Sequence, residues 1–588
     1  MAHLDATRRT FFAHFAGLGL GTTLMPGVLW ARMQDSGADA ITLEMLTDAL
    51  KLSGIELAEE DRKAMVDGAN AQLERLEELH AFHIPNDVSP PYHFSPVVPG
   101  MTVDRQRQPW VLSKAPAVKR PARLEDVAFW PLRHLAELLR TRQVTSTELA
   151  RMYLERLHRY QPRINAVVTF LDDHGLAEAA QADREIAAGR YKGPLHGIPW
   201  GVKDIITVKG FKTTWGSPAF TEQQFDYDAS IVEMLRAAGA VLIAKLATGE
   251  LASGDNWFGG QTKSPWDPTQ GSSGSSAGPA SATAAGCVAF AIGSETSGSI
   301  LSPSGRCGVV GLRPTFGRVS RHGAMALSWT QDRLGPFARY AEDCAIVMQA
   351  IAKPDGRDMS VTDLPFNWNA GLDVRRLKVG ILQASFDELT EPPAKANAAA
   401  TLDVLKALGI REFLPVAVPE FWLDVSAIGV ESAAFFDEHA RAGRMAKARG
   451  RGRPNGRLLS AVDFLQGQRA RMMMMEALAE ATRHVDLYVV ASNSIGRGGP
   501  GGPPGGRPPG APRPPRRPQP PGQRHFQMAN LACYPAVNVP NGFTGDGGTP
   551  TSIVFYAQPY RELELLALAK AYQDRARWHE KTPAALDA

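Results

Sequence analysis

The chain has 588 residues, of which 44% are apolar, 8% aromatic and 21% charged, and its formal charge is +3. This composition excludes a disordered, collagen-like or disulfide-stapled chain and leaves room for one large domain with attachments. So small a net charge also argues against nucleic-acid binding as the main task.

The charge is unevenly spread. Residues 1–31 hold Asp5, Arg8 and Arg9, and residues 497–523 hold five Arg and no acid. The rest of the chain carries 57 basic and 60 acidic residues, so the body is mildly acidic. Cys287, Cys307, Cys344 and Cys533 show no C-x-x-C or metal-like spacing and read as small core residues.

In chain order, the twin arginine of TRRTFF (Thr7–Phe12) precedes an apolar stretch from Ala16 to Trp30 that is broken by glycines, threonines and Pro26. It is a poor membrane span of the ~20 apolar residues needed and resembles a bacterial Tat export signal over residues 1–31. That implies the Tat translocase as a partner during export, a periplasmic or secreted protein, and a mature form that is not embedded in a membrane. Residues 32–110 are expected to form a helical N-terminal extension. Two amphipathic helices lie within 41–82, and the second places Ala64, Met65, Leu73, Leu76, Leu79 and Phe82 near a helical period.

From about residue 125, helices alternate with short apolar runs. Thr145–Glu148 is a T-x-x-E capping box that opens a helix with Leu149, Met152, Tyr153 and Leu157 on one face. Strands are predicted at Ala166–Leu171, Val241–Ala244, Val379–Leu382, Leu487–Ala491 and Ser552–Tyr556. The alternation predicts an α/β domain with a sheet covered on both faces. Met472–Met475 read as packing within a helix. In residues 497–523, Pro, Gly and Arg fill 24 of 27 positions, so a mobile polyproline-like insertion is expected there.

Two clusters carry chemistry. In Gly193–Ser217, Lys203 sits among Ile198, Trp200, Val202, Ile205 and Ile206, a setting that predicts burial. Gly271–Arg321 is rich in Gly and Ser but embedded in apolar and Ala-rich sequence, so it reads as two tight loops joined by a small-residue helix near Gly278–Gly286. Such glycines let backbone N–H groups converge on one point, as an oxyanion requires.

The sequence here resembles the amidase signature family of serine hydrolases. The motifs that carry the resemblance are GVKD at Lys203, the serine pair ahead of the Ala-rich helix, GSETSGSI (Gly293–Ile300), CGVVGLRPTFGRVS (Cys307–Ser320), PWD (Pro265–Asp267), LGPFARYAEDCAIV (Leu334–Val347) and YPAVNVPNGF (Tyr534–Phe543). It spans roughly 430 to 460 residues, implies an amidase domain over 125–588, and implies one large mixed β-sheet covered by helices on both faces.

The resemblance implies Ser299 as nucleophile, Ser275 as a cis-serine proton relay and Lys203 as base. It also implies an oxyanion hole from the backbone N–H groups of Thr296, Ser297, Gly298 and Ser299. Ser272 is the alternative for the relay if the two Gly-Ser-Ser triplets slip by three residues. The chemistry is consistent with those roles, because a serine hydroxyl needs a neighbouring base and neither loop holds a His. A free Lys is neutral in only about one molecule in 2,500 at pH 7, and burial is expected to supply the roughly 4.6 kcal/mol that brings it to half neutral.

The chain departs from the family pattern at Glu295, Ser297, Ala277 and Leu301. Ser297 is expected to narrow the loop's conformations. Leu301 and Trp329 are expected to line the substrate pocket, and Leu301 in place of a basic residue points to a neutral, rather apolar amide. The implied reaction is hydrolysis of a small-molecule amide to carboxylate and ammonia or amine, without metal or organic cofactor. The alternatives are a transamidase like the A component of aminoacyl-tRNA amidotransferases, or a catalytically silent scaffold that binds envelope polymer through residues 497–523.

Overall fold

The computed structural model describes residues 40–52, 56–81, 94–114, 117–420, 427–449, 454–491, 519–545 and 548–586. Residues 1–31, where an export signal is expected, and most of the Pro-Gly-Arg stretch, 497–518, lie outside the described residues. The described residues group into two compact units. The smaller draws on those within 1–93, 326–330 and 421–474, and the larger on the remainder.

In the smaller unit, α1 (Leu43–Leu52) and α2 (Glu59–Ala81) enclose a core of Ile41, Met45, Leu46, Ala49, Leu50, Met65 and Ala69, joined by Leu458. The buried face of α2 runs through Met65, Ala69, Gln72 and Leu76 at helical spacing, whereas Ala64 points outward. Asn70 fixes the chain entering α1, because its amide donates to the Ile41 carbonyl at 3.0 Å and its oxygen accepts the Ile41 N–H at 2.7 Å. The helical preface therefore shares a core with a residue about 400 positions on, a link invisible in local pattern. The expected boundary at 110 moves as well. Residues from Phe94 belong to the larger unit: Phe94 packs edge-on to Phe316, and Ser113 donates through both N–H and hydroxyl to Glu342.

The larger unit is built on an eleven-stranded mixed sheet. Its strands are β1 (Val167–Phe170), β2 (Pro199–Lys203), β3 (Val241–Leu246), β4 (Phe290–Glu295), β5 (Val310–Arg313), β6 (Arg333–Ala338), β7 (Val379–Ile381), β8 (Leu414–Pro415), β9 (Leu487–Ala491), β10 (Ala536–Phe543) and β11 (Pro550–Tyr556). Their order across the sheet is β1-β3-β2-β4-β6-β5-β10-β11-β9-β7-β8. Strands β3, β2 and β4 run parallel, as do β9, β7 and β8, and the strands from β4 to β9 pair antiparallel. Every residue of β2, β3, β4, β5, β6 and β9 is buried. Alternate side chains leave opposite faces, so both faces of the sheet centre are covered.

The capping box forms as the sequence predicts. Thr145 and Glu148 satisfy each other's backbone N–H groups at the start of α3 (Ser146–Ile164). The small-residue helix is α4 (Ala277–Ala284), buried at all eight positions. All four cysteines are buried and unbridged. Met474 and Met475 are packed inside a helix that spans Ala461–Thr482. The insertion ends earlier than the composition suggests: Pro521 and Gly522 open the helix Pro521–Leu531, and the Gly522 N–H donates to Glu388. Proline is tolerated there because the first helical N–H has no intrahelical acceptor.

Candidate active site

Three segments of the larger unit meet at the end of β2. Lys203 is its last residue, and Val202 pairs with Ile292 of β4, which brings Ser294 beside the lysine two residues later. Ser275 and Ser276 arrive from the turn before α4, and the Gly274–Ser275 peptide bond is cis. Gly293 permits the approach, since a Cβ there would lie 2.7 Å from the Ser276 hydroxyl.

The Lys203 ammonium donates to Ser275 Oγ at 2.7 Å, Ser294 Oγ at 2.9 Å and Ser276 Oγ at 3.0 Å. Lys203 is fully buried, and among the described residues the hydrogen-bond partners of its ammonium are these hydroxyls alone. Burial pushes its pKa down to about 7, against the opposing pull of Asp332 and Glu295. The three serines differ in proton supply. Ser276 donates its own proton to the Ser294 carbonyl, at 2.9 Å, so Ser275 and Ser294 are left to hand a proton to a neutral lysine. Ser272, the alternative in sequence, turns away: its hydroxyl donates to the Ser273 carbonyl.

The loop after β4 presents Ser299, partly exposed, and is joined to the serine turn where the Ser276 N–H donates to the Ser299 carbonyl at 3.2 Å. Among the described residues, the N–H groups of Thr296, Ser297, Gly298 and Ser299 meet no protein acceptor. A row of unspent backbone donors beside a partly open hydroxyl is suited to a developing oxyanion. Gly298 carries the unusual conformation, with φ +87, whereas Ser297 stays outside the left-handed region and exposes its side chain. Ser297 therefore occupies no conformation that favours glycine. The position that requires glycine is 298.

Glu295 anchors the loop from beneath. It is fully buried, pairs with Arg313 at 2.9 Å, and accepts the Ile300 and Leu301 N–H groups at 2.7 and 2.9 Å. Burial raises its pKa, but Arg313 and Arg333 outweigh burial and hold the carboxyl below its usual range. Arg313 is in turn satisfied by Asn530 and the Tyr534 carbonyl.

The two expected pocket residues fare differently. Leu301 is wholly inaccessible, with its N–H on Glu295, so its side chain packs within the fold instead of lining a cleft. Trp329 belongs to the smaller unit, where it is 47% exposed and meets Phe435 edge-on. Ser276, Ser294, Asp332 and Arg333 carry no signal that singles them out in the sequence. Ser294 lies inside the GSETSGSI motif, but its contact with a lysine 91 positions away depends on strand register.

The model of the family described as Amidase matches residues 148–496. The chain belongs to the amidase family. Among its relatives is the A component of the glutamyl-tRNA(Gln) amidotransferase of Methylococcus capsulatus, 33% identical over 491 residues that cover 77% of this chain and 99% of the relative. Its counterpart in Roseiflexus sp. is 33% identical over 481 residues, covering 76% and 96%. The crystal structure of a native peptide amidase from Stenotrophomonas maltophilia superposes with a TM-score of 0.60 at 27% identity, covering 77% of this chain and 98% of that one. This amidase is therefore an enzyme of the serine-dependent, amide-hydrolysing class.

Proposed function

We propose that the amidase hydrolyses a carboxylic amide through an acyl-enzyme on Ser299. Ser299 Oγ attacks the carbonyl carbon, its proton passes to Ser275 Oγ, and the Ser275 proton passes to neutral Lys203 Nζ. The carbonyl oxygen, now an anion, accepts from the loop N–H groups. Collapse breaks the C–N bond as the proton returns through Ser275 to the departing ammonia or amine. Water then repeats the sequence on the ester and releases the carboxylate.

The observation that carries this reading is Lys203 itself, buried, bonded only to hydroxyls and lowered to about pKa 7. Incubation with a fluorophosphonate followed by peptide mass spectrometry tests it. An adduct on Ser299 is expected, and labelling elsewhere with Ser299 unmodified overturns the assignment. A panel of aliphatic, aryl and peptide amides, read by ammonia release, identifies the acyl group.

Export to the periplasm is supported by TRRTFF and the broken apolar stretch after it. A reporter fused to residues 1–40 tests it, with retention in the cytoplasm as the contrary result. The amidotransferase relatives favour a second reading, a transamidase component that works with partner chains. Ammonia release by the purified single chain separates the two, because hydrolysis needs no partner chain.

A further inference from the structure

We infer that Arg333 is a positioning residue that aims the oxyanion-binding N–H groups of the Ser299 loop; this rests on the acyl-enzyme reading above. Arg333 opens β6 and pairs across the sheet with Glu295, the last residue of β4 before the loop. It is 2% exposed, and its Nη2 donates to the Thr296 carbonyl at 2.7 Å. Its Nε and Nη1 meet no acceptor among the described residues. A guanidinium with two unsatisfied nitrogens is a poor stabilising element in a protein interior. The one hydrogen bond its side chain makes among the described residues goes to the nucleophile loop.

That bond has a directional consequence. In a trans peptide the C=O and the following N–H point in opposite directions. Holding the Thr296 carbonyl against Arg333 therefore turns the Ser297 N–H away from β6. The same reasoning applies at Gly298, whose carbonyl accepts the Ser302 N–H at 2.8 Å and so directs the Ser299 N–H the other way. Asp332, the neighbour of Arg333, accepts the Thr296 hydroxyl at 2.5 Å, so consecutive residues hold both polar ends of Thr296. With both carbonyls engaged, the N–H groups of Ser297 and Ser299 are left without a protein acceptor among the described residues. The positive guanidinium also polarises the Thr296–Ser297 peptide in the sense that strengthens its N–H as a donor.

The test compares wild type with Arg333→Met and Arg333→Lys using p-nitroacetanilide hydrolysis and inhibition by phenylboronic acid, which forms a tetrahedral adduct with a serine. Arg333→Met is expected to lower kcat about tenfold to a hundredfold with KM within about twofold, and to weaken the boronate by a similar factor. Arg333→Lys, which keeps a charged donor, is expected to recover part of both. Thermal melting shows that each variant is folded, and if Arg333→Met does not fold, Arg333→Lys alone carries the comparison. A folded variant with unchanged kcat, or with substrate and boronate weakened equally, overturns the inference. Absence of the Ser299 fluorophosphonate adduct in wild type is a separate result, which removes the acyl-enzyme reading and this inference with it.

Discussion

Lys203 Nζ lies 2.7 Å from Ser275 Oγ at the end of a fully buried strand, and hydroxyls are its only hydrogen-bond partners among the described residues. An ammonium in such a place is held by neutral dipoles, which repay only part of its lost hydration. The carboxylates that face it from a distance, Asp332 and Glu295, are engaged elsewhere, by Thr296 and by Arg313. The arrangement favours proton transfer over charge pairing.

The first consequence is a pH profile. The base form of Lys203 is the active one, so kcat/KM should rise with pH and level off above about 7, where the lysine loses its proton. Ser294 accepts a hydrogen bond from the charged form, so Ser294→Ala should lower the lysine pKa further and move this limb to lower pH. Kinetics from about pH 5 to 9 on both proteins check the direction, and a limb that moves upward contradicts it.

A second consequence concerns stability. The folded pKa of Lys203 is about 7, below its unfolded value near 10.5, so between those values the unfolded chain binds more protons. Wild-type stability should therefore rise with pH across that window, by up to about 1.4 kcal/mol per pH unit. Below about pH 7 the full cost of burying the charge is present. Lys203→Met removes the titration, so the variant should be inactive, and its melting temperature relative to wild type should be higher at about pH 6 than at about pH 9.5. Parallel melting curves at the two pH values would show that the lysine is not depressed.

The register of the serine pair offers a third test. Ser275 bonds to Lys203, whereas Ser272 is turned to the Ser273 carbonyl within the same turn. Ser275→Ala should lower kcat by about a thousandfold or more, as loss of one member of a concerted set does. Ser272→Ala should retain activity within about tenfold. Steady-state rates on one amide substrate decide between them.

These residues show what is legible in the sequence. Leu487–Ala491 forms a strand over the predicted bounds, because a short continuous apolar run between polar flanks has few other uses. Strand β6 is hidden because Gly335 and Pro336 argue against a central strand. It exists because pairing with β5 begins only at Phe337, so Pro336 faces a partner on the β4 side alone. In the site, Lys203, Ser275 and Ser299 are reached through motifs. Ser276, Ser294 and Arg333 act through contacts across 37 to 91 positions, which follow from strand register and carry no local periodicity. Leu301 misleads for the converse reason: its neighbour in sequence is near the site, but its own side chain points into the core.

Gly298 gives the most local prediction. Its φ of +87 lies where a side chain is strained, and a Cβ there would stand 2.9 Å from Phe526 Cζ and 3.1 Å from the Ser302 hydroxyl. Gly298→Ala should cost about 1–2 kcal/mol in stability. The larger effect falls on the reaction, since the Gly298 carbonyl directs the neighbouring Ser299 N–H and any rotation of that peptide misaims it. A fall in kcat of about a hundredfold, with KM nearly unchanged, is expected. Phe526→Leu added to Gly298→Ala relieves the ring contact but leaves the backbone strain, so it should recover melting temperature more than kcat. Equal recovery of both would assign the defect to crowding by Phe526 instead of to the orientation of the loop.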